Sequence, residues 1–160
     1  MRPLLMLALL LASCAPVQTP GQPKSVRPVR IGEQFVDANS TYSRLKGCVR
    51  ETASTARCDF TMVGVIGYAK GLYYASTTEL VFAGGQRSVG QAIRFGTGPY
   101  APQHEVLPFR QETSFSVRFE GIPAGATSIQ SMDILSRTTL TSGTLNTTRI
   151  SNVPLLPAAR

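Results

Sequence analysis

From about residue 44 onward the chain alternates apolar and polar positions with a period of two, the spacing that puts successive side chains on opposite faces of a strand. The clearest run is Thr113 to Glu120: Phe115, Val117 and Phe119 point one way, while Ser114, Ser116, Arg118 and Glu120 point the other. Cys58, Phe60 and Met62 alternate likewise with Asp59, Thr61 and Val63. The pattern predicts strands over Arg44–Glu51, Arg57–Ile66, Gly71–Ala83, Val89–Phe95, Thr113–Glu120, Ser128–Leu135 and Leu145–Val153. In the fourth of these, Val89, Ile93 and Phe95 are placed on one face. Residues 52–55, Gly84-Gly85 and Gly121 to Ala126 supply the reversals, and Gly96 to Pro102 reads as an irregular loop. Pro154 and Pro157 are taken to end the last strand. No segment carries a sustained apolar stripe at 3.6-residue spacing. Seven or eight short antiparallel strands between Gly/Pro turns predict an all-β protein built as a β-sandwich.

The first thirty residues break this texture. An apolar run from Pro3 to Leu11 follows Arg2 and closes in Leu11-Ala12-Ser13-Cys14. It is too short to cross a bilayer as a helix, which needs about 20 residues, and has the length of a signal-peptide core. Its ending resembles the lipobox of bacterial lipoproteins. That resemblance implies cleavage after Ser13 and lipidation of Cys14 as the new N-terminus. It also implies residence in the cell envelope, facing the periplasm or exterior, held on a membrane by acyl chains buried at about 0.8 kcal/mol per methylene. Ala15 in the next position favours the outer membrane if the source has two membranes. From Ala15 to Arg30, Pro16, Pro20, Pro23 and Pro28 stand among Gln, Thr and Ser, which suits an extended spacer. The expected organisation is a signal peptide at 1–13, a lipidated, basic tether at 14–30 and a β-domain at 31–160.

Sixteen Lys and Arg face nine Asp and Glu, a formal charge of +7; loss of the leader removes Arg2 alone and leaves +6. Lys24, Arg27 and Arg30 lie in the tether, where each contributes about 1 kcal/mol against an anionic membrane surface. The other basic residues fall singly among the strands, so nucleic acid is not the expected partner. With Cys14 assigned to lipid, Cys48 and Cys58 are left as a pair in an exported chain. A hairpin turning at Ala53 sets them opposite each other, and a structural disulfide is expected.

The second half resembles a bacterial family of exported, immunoglobulin-like β-sandwich domains. The residues that carry the likeness are Val106-Leu-Pro-Phe109, Ser116 to Thr127 with its Gly121-Ile-Pro turn, and Ser151-Asn-Val-Pro-Leu155, joined by Gly47-Cys48 and Cys58-Asp-Phe-Thr-Met62. Together they span most of Lys46 to Leu155. The resemblance implies an immunoglobulin-like sandwich and brings no catalytic residues. Where members often have a Gly-Asn-Tyr turn, this chain has Gly96-Thr-Gly-Pro-Tyr100.

Little in the chain points to catalysis. His104 is the sole histidine, with Asp37, Asp59 and Asp133 as conceivable partners, and no serine sits in a Gly-x-Ser-x-Gly elbow. Glu105 and Glu112 are a carboxylate pair of the kind any chain of this length contains. Asn39 and Asn146 head glycosylation-type triplets that a bacterial lipoprotein does not normally use. No metal or cofactor is expected. The expected function is a non-catalytic binding or structural module with an envelope protein or polymer as partner; the alternative is a module for an anionic ligand such as polysaccharide, lipid headgroup or DNA. Tyr68, Tyr73, Tyr74 and Tyr100 are the candidate contact surface, because tyrosine suits interfaces that stay wet at one end.

Overall fold

The structure, a computed structural model, describes residues 25–64, 71–106 and 110–158. They form β1 (Val26–Val29), β2 (Gln34–Asp37), β3 (Tyr42–Arg50), β4 (Thr55–Val63), β5 (Gly71–Tyr74), β6 (Thr78–Val81), β7 (Arg87–Phe95), β8 (Gln103–Val106), β9 (Thr113–Glu120), β10 (Ser128–Arg137) and β11 (Leu145–Pro157). One 3-10 turn, η1 (Ala75–Thr77), separates β5 from β6. The protein is all-β, as the alternation predicts.

Several expectations are corrected. Val26–Val29, assigned to the tether, pair parallel with β11 from Val26↔Thr147 to Val29↔Ile150, and Val29 is buried. Pro28 is tolerated because β1 ends the sheet and needs no donor on its open side. The 71–83 run is two strands, because η1 turns the chain between them. Four residues after the Gly/Pro loop form β8, which pairs with β5 as a separate two-stranded sheet. Pro154 does not end β11; it lies opposite Ser128 in the terminal pair of the β10 ladder, and the strand runs on to Pro157.

Seven of the strands close into a barrel. The run β2–β3–β4–β9–β7–β6 is antiparallel at every step, and β10 joins its two ends. β6 pairs with residues 131–134 of β10 and β2 with residues 136–137, while β11 runs along the whole of β10. β2 and β6 therefore lie end to end on one edge of β10, with β11 on the other. In a flat sheet β2 and β6 would run in opposite directions, yet both are antiparallel to β10. The sheet must coil through a half turn between them. Five ladders at roughly 20–25° each supply more than half of this. Bulges at Lys46 in β3 and Gln91 in β7 add local twist.

The bulge at Gln91 also reverses side-chain phase along β7. Ile93 lies opposite Val117 and points inward, but Val89 is 40 % exposed and Gly90 takes the inward position opposite Phe119. This corrects the expected face shared by Val89, Ile93 and Phe95. Leu45, Phe60, Met62, Leu80, Val117, Phe119, Ile129, Met132, Ile150 and Val153, each at most 1 % exposed, fill the interior. Cys48 and Cys58 meet in register at a Cα separation of 4.0 Å, close to that of a non-hydrogen-bonded pair, and are bonded as a disulfide. Closing a loop this short stabilises by about 3 kcal/mol through the unfolded state.

Gly90 is fixed by its neighbours. A Cβ there would lie 2.2 Å from the Ala75 carbonyl oxygen and 2.8 Å from Val117 Cγ1, so η1 crosses β7 only because this position has no side chain. Gly90→Ala is expected to lower unfolding free energy by about 2–3 kcal/mol, read as a shift of the urea midpoint at constant slope. An unchanged midpoint would show that η1 gives way without cost.

Candidate functional site

The inward residues of β4, β9 and β7 form an aromatic row that positions everything attached to it. Phe60 stacks on Phe115 with ring centres 4.8 Å apart, and Phe115 on Phe95 at 5.5 Å. Phe95 then meets Tyr73 of β5 at 5.4 Å and His104 of β8 at 5.7 Å, both edge-on. Tyr73 and His104 are opposite one another in the β5–β8 ladder, so the small sheet docks on the barrel through this pair. Such contacts add about 0.5–1.5 kcal/mol each beyond area burial.

Tyr73 is consequently a core residue, 6 % exposed, and not the contact residue its sequence setting suggested. Its hydroxyl meets Thr41 Oγ1 at 3.1 Å, and Thr41 in turn donates to the buried carboxylate of Asp37. Asp37 also accepts from Ser43 Oγ at 2.9 Å and from the amides of Asn39 and Thr41 at 2.8 and 3.0 Å. This network fixes the β2–β3 turn, where Ser40 has φ 60°. Beside it is a cavity of about 30 Å³ lined by Asp37, Ser43, Phe60, Tyr73 and Ile134, room for a water or two. Burial raises the Asp37 pKa above its ordinary 3.8, despite the opposing hydrogen bonds from Thr41, Ser43 and Asn39. Burial likewise pushes the Tyr73 phenol upward, aided by the Asp37 charge.

The other expected residues are scattered. Tyr74 is 43 % exposed and shares the outer face of β5 with Leu72, which is 40 % exposed. Tyr68 and Cys14 lie outside the described residues. His104 Nε2 is 3.1 Å from the Pro99 carbonyl. The three aspartates considered for it are engaged elsewhere: Asp37 as above, Asp59 with Arg57 and Ser116, and Asp133 with Arg149. Among the described residues no three His, Cys, Asp or Glu side chains converge as metal ligands.

Tyr100 lies on the opposite, outward side of the aromatic row, in a cluster that was not foreseen. Its loop is held as a strand-like bridge: Ile93 N donates to Ala101 O at 2.7 Å and Ala101 N to Ile93 O at 3.0 Å. Register places Arg57 opposite Arg118, and Asp59 opposite Ser116, which is opposite Arg94. Two arginines facing each other across a ladder repel. Glu51 bridges them, accepting from Arg57 Nη1 at 3.3 Å and Arg118 Nε at 3.0 Å. Asp59 holds Arg57 Nε at 2.9 Å and accepts from Ser116 Oγ at 2.6 Å. Partial burial works against the Arg57 charge, but Asp59 and then Glu51 outweigh it and keep its pKa above the ordinary value.

Arg94 is the exception. Its guanidinium carbon is 4.7 Å from the Tyr100 ring centre, and that of Arg118 is 4.1 Å from the same centre. Among the described residues Arg94 makes no ion pair or hydrogen bond, and its Nε is enclosed without a partner, as is the Tyr100 hydroxyl. Burial raises the Tyr100 pKa, partly offset by Arg94. The outward position of Arg57, Asp59, Ser116 and Arg118 follows from the period of two; their meeting with Arg94 and Tyr100 needs the register and the Gln91 bulge.

No protein-family model, curated protein or solved structure matches the chain.

Two outcomes follow. Tyr100→Phe removes an enclosed hydroxyl without a partner, so the ligand-free protein should be unchanged or about 1 kcal/mol more stable by urea unfolding; a loss above 1 kcal/mol would mean the hydroxyl is hydrogen-bonded. Between pH 3.8 and its raised native pKa, Asp37 keeps in the native state a proton that the unfolded chain has lost. Its contribution to stability therefore falls as pH rises through that window and stays lower above it. The stability of the wild type relative to Asp37→Asn should decline as pH rises above about 4. A difference that does not vary with pH would show an unshifted carboxyl.

Proposed function

We propose that the chain is a membrane-anchored bacterial envelope lipoprotein whose β-domain is a non-catalytic binding or structural module. The anchor is read from Leu11-Ala12-Ser13-Cys14 and the tether behind it. The observation that carries the binding role is the outward wall of β4, β9 and β7, where Arg57, Arg118, Glu51 and Asp59 form a connected ion network around Tyr100. A network on rigid ladders presents hydrogen-bonding groups with little ordering cost when a partner arrives. We further propose an immunoglobulin-like relationship, supported by the alternating β9, the Gly121-Ile-Pro turn and the Asn152-Val-Pro-Leu155 segment of β11.

A second reading, recognition of an anionic ligand, is favoured by Arg94, which has no carboxylate partner among the described residues.

The anchor is tested by metabolic acyl labelling of wild type and Cys14→Ala, with label expected on the wild type alone. Affinity capture from the protein's own envelope should then return one reproducible partner that an Arg118→Glu variant loses. Equal labelling of both forms, or capture indifferent to Arg118, would overturn the anchor or the binding surface respectively.

A further inference from the structure

The wall holds a local imbalance that its own residues do not resolve. Arg57 and Arg118 have carboxylate partners in Asp59 and Glu51, whereas Arg94 has the Tyr100 ring. An arginine presents five N–H donors in a planar fork. For Arg94, Nε is enclosed and unbonded; its two terminal nitrogens have no protein partner among the described residues and are not enclosed, so they reach solvent. Buried donors without acceptors are rare in native proteins, and a bound ion is one of the partners that satisfies them. Two guanidinium groups over one phenol also concentrate positive charge, and a planar fork receives a carboxylate or other oxyanion through two parallel hydrogen bonds.

We propose that Arg94, Arg118 and Tyr100 form a site for a single oxyanion, the carboxylate of an acidic glycan. This rests on the reading of the outward wall as a binding surface and names its ligand class. Three observations choose the glycan. Glu51 and Asp59 lie inside the cluster, so three arginines give only about one net positive charge. A nucleic-acid strand, with one phosphate per 3.4 Å, would set neighbouring phosphates against those carboxylates. The Tyr100 ring already has Arg94 and Arg118 over it, which leaves no platform for stacked bases of the kind single-stranded nucleic acid uses. Beside Arg94 the wall continues through Ser116 and Asp59 to Gly47, where nothing lies within 4 Å of a Cβ position. The part-exposed Asp59 carboxylate and open backbone suit a ligand rich in hydroxyl groups better than a protein partner, whose interfaces centre on buried apolar anchors.

The test uses the full-length protein in a neutral detergent, with a tetrasaccharide bearing a single terminal glucuronate as probe. A neutral tetrasaccharide, inorganic phosphate, tetraglutamate and a single-stranded DNA 12-mer serve as comparators, and binding is read by calorimetry and by a rise in Tm. The monoglucuronate tetrasaccharide should bind most tightly among the five, lose roughly tenfold affinity in Arg94→Gln, and recover part of it in Arg94→Lys. Tyr100→Phe should bind more weakly while its ligand-free Tm is equal or higher, a combination that a purely structural role for the hydroxyl would not give. Tighter binding of DNA, tetraglutamate or phosphate, absence of binding, or binding unaffected by Arg94→Gln would each overturn the site. If capture of an envelope partner still depended on Arg118 in that event, the binding-module reading would stand and only this inference would fall.

Discussion

The ladder that closes the barrel runs along one edge of β10, where β6 covers residues 131–134 and β2 covers residues 136–137. Both strands must arrive there running the same way, although five antiparallel steps separate them. That requirement sets the coil of the whole sheet. It goes with bulges at Lys46 and Gln91, and it gives each of the seven closed strands a partner on both sides. β11, on the other edge of β10, then reaches β3 through Leu155↔Cys48 to Pro157↔Arg50 and ties the C-terminal strand across the ring. Among the described strands, β1 forms the outer edge of the large sheet; it is a four-residue strand with a proline in it, which is poor material for edge-to-edge association.

Two faces of the same three strands carry opposite chemistry, and the bulges decide which residues share each face. Inward, Phe60, Phe115 and Phe95 align in register and dock the β5–β8 sheet through Tyr73 and His104. Outward, one position along each strand, Asp59, Ser116 and Arg94 align in the same register. The aromatic row therefore does for the wall what a supporting shell does for any site: it holds β4, β9 and β7 against sliding. Without the extra residue at Gln91, Arg94 would keep its phase while Gly90 and Val89 changed places, and η1 could not pass over the backbone at Gly90.

The sequence makes the period-two strands legible because each has one wet and one dry face. β4 and β9 are therefore read well, down to the inward Cys58, Phe60 and Met62 and the inward Phe115, Val117 and Phe119. The Cys48–Cys58 pairing is legible for the same reason, since both lie equally far from the Ala53 turn. β1, β2 and β8 are four residues each and cannot show a periodicity. The bulges are invisible for a different reason: one unpaired residue changes phase only relative to a partner strand, which alternation in one strand does not reveal. Tyrosine is the extreme case. Tyr73 and Tyr74 are neighbours of one type, and strand geometry alone sends one into the core and the other into solvent.

Arg94 and Tyr100 break the general rule that polar groups enclosed in a fold find partners. On the same wall, Glu51 and Asp59 satisfy Arg57 and Arg118 with four contacts between 2.9 and 3.3 Å, so the ladders are able to supply acceptors where stability alone is served. At Arg94 the residue across the ladder is Ser116, whose hydroxyl donates to Asp59 and so offers Arg94 little. The loop that could have shielded the charge with a carboxylate brings a phenol instead, and the phenol's own hydroxyl is left enclosed. A fold that balances its charges within one strand's width of this point, and leaves two donors unbalanced at it, concentrates its unmet hydrogen-bonding capacity in one place. Capacity of that kind favours an acceptor from outside the chain over further packing within it.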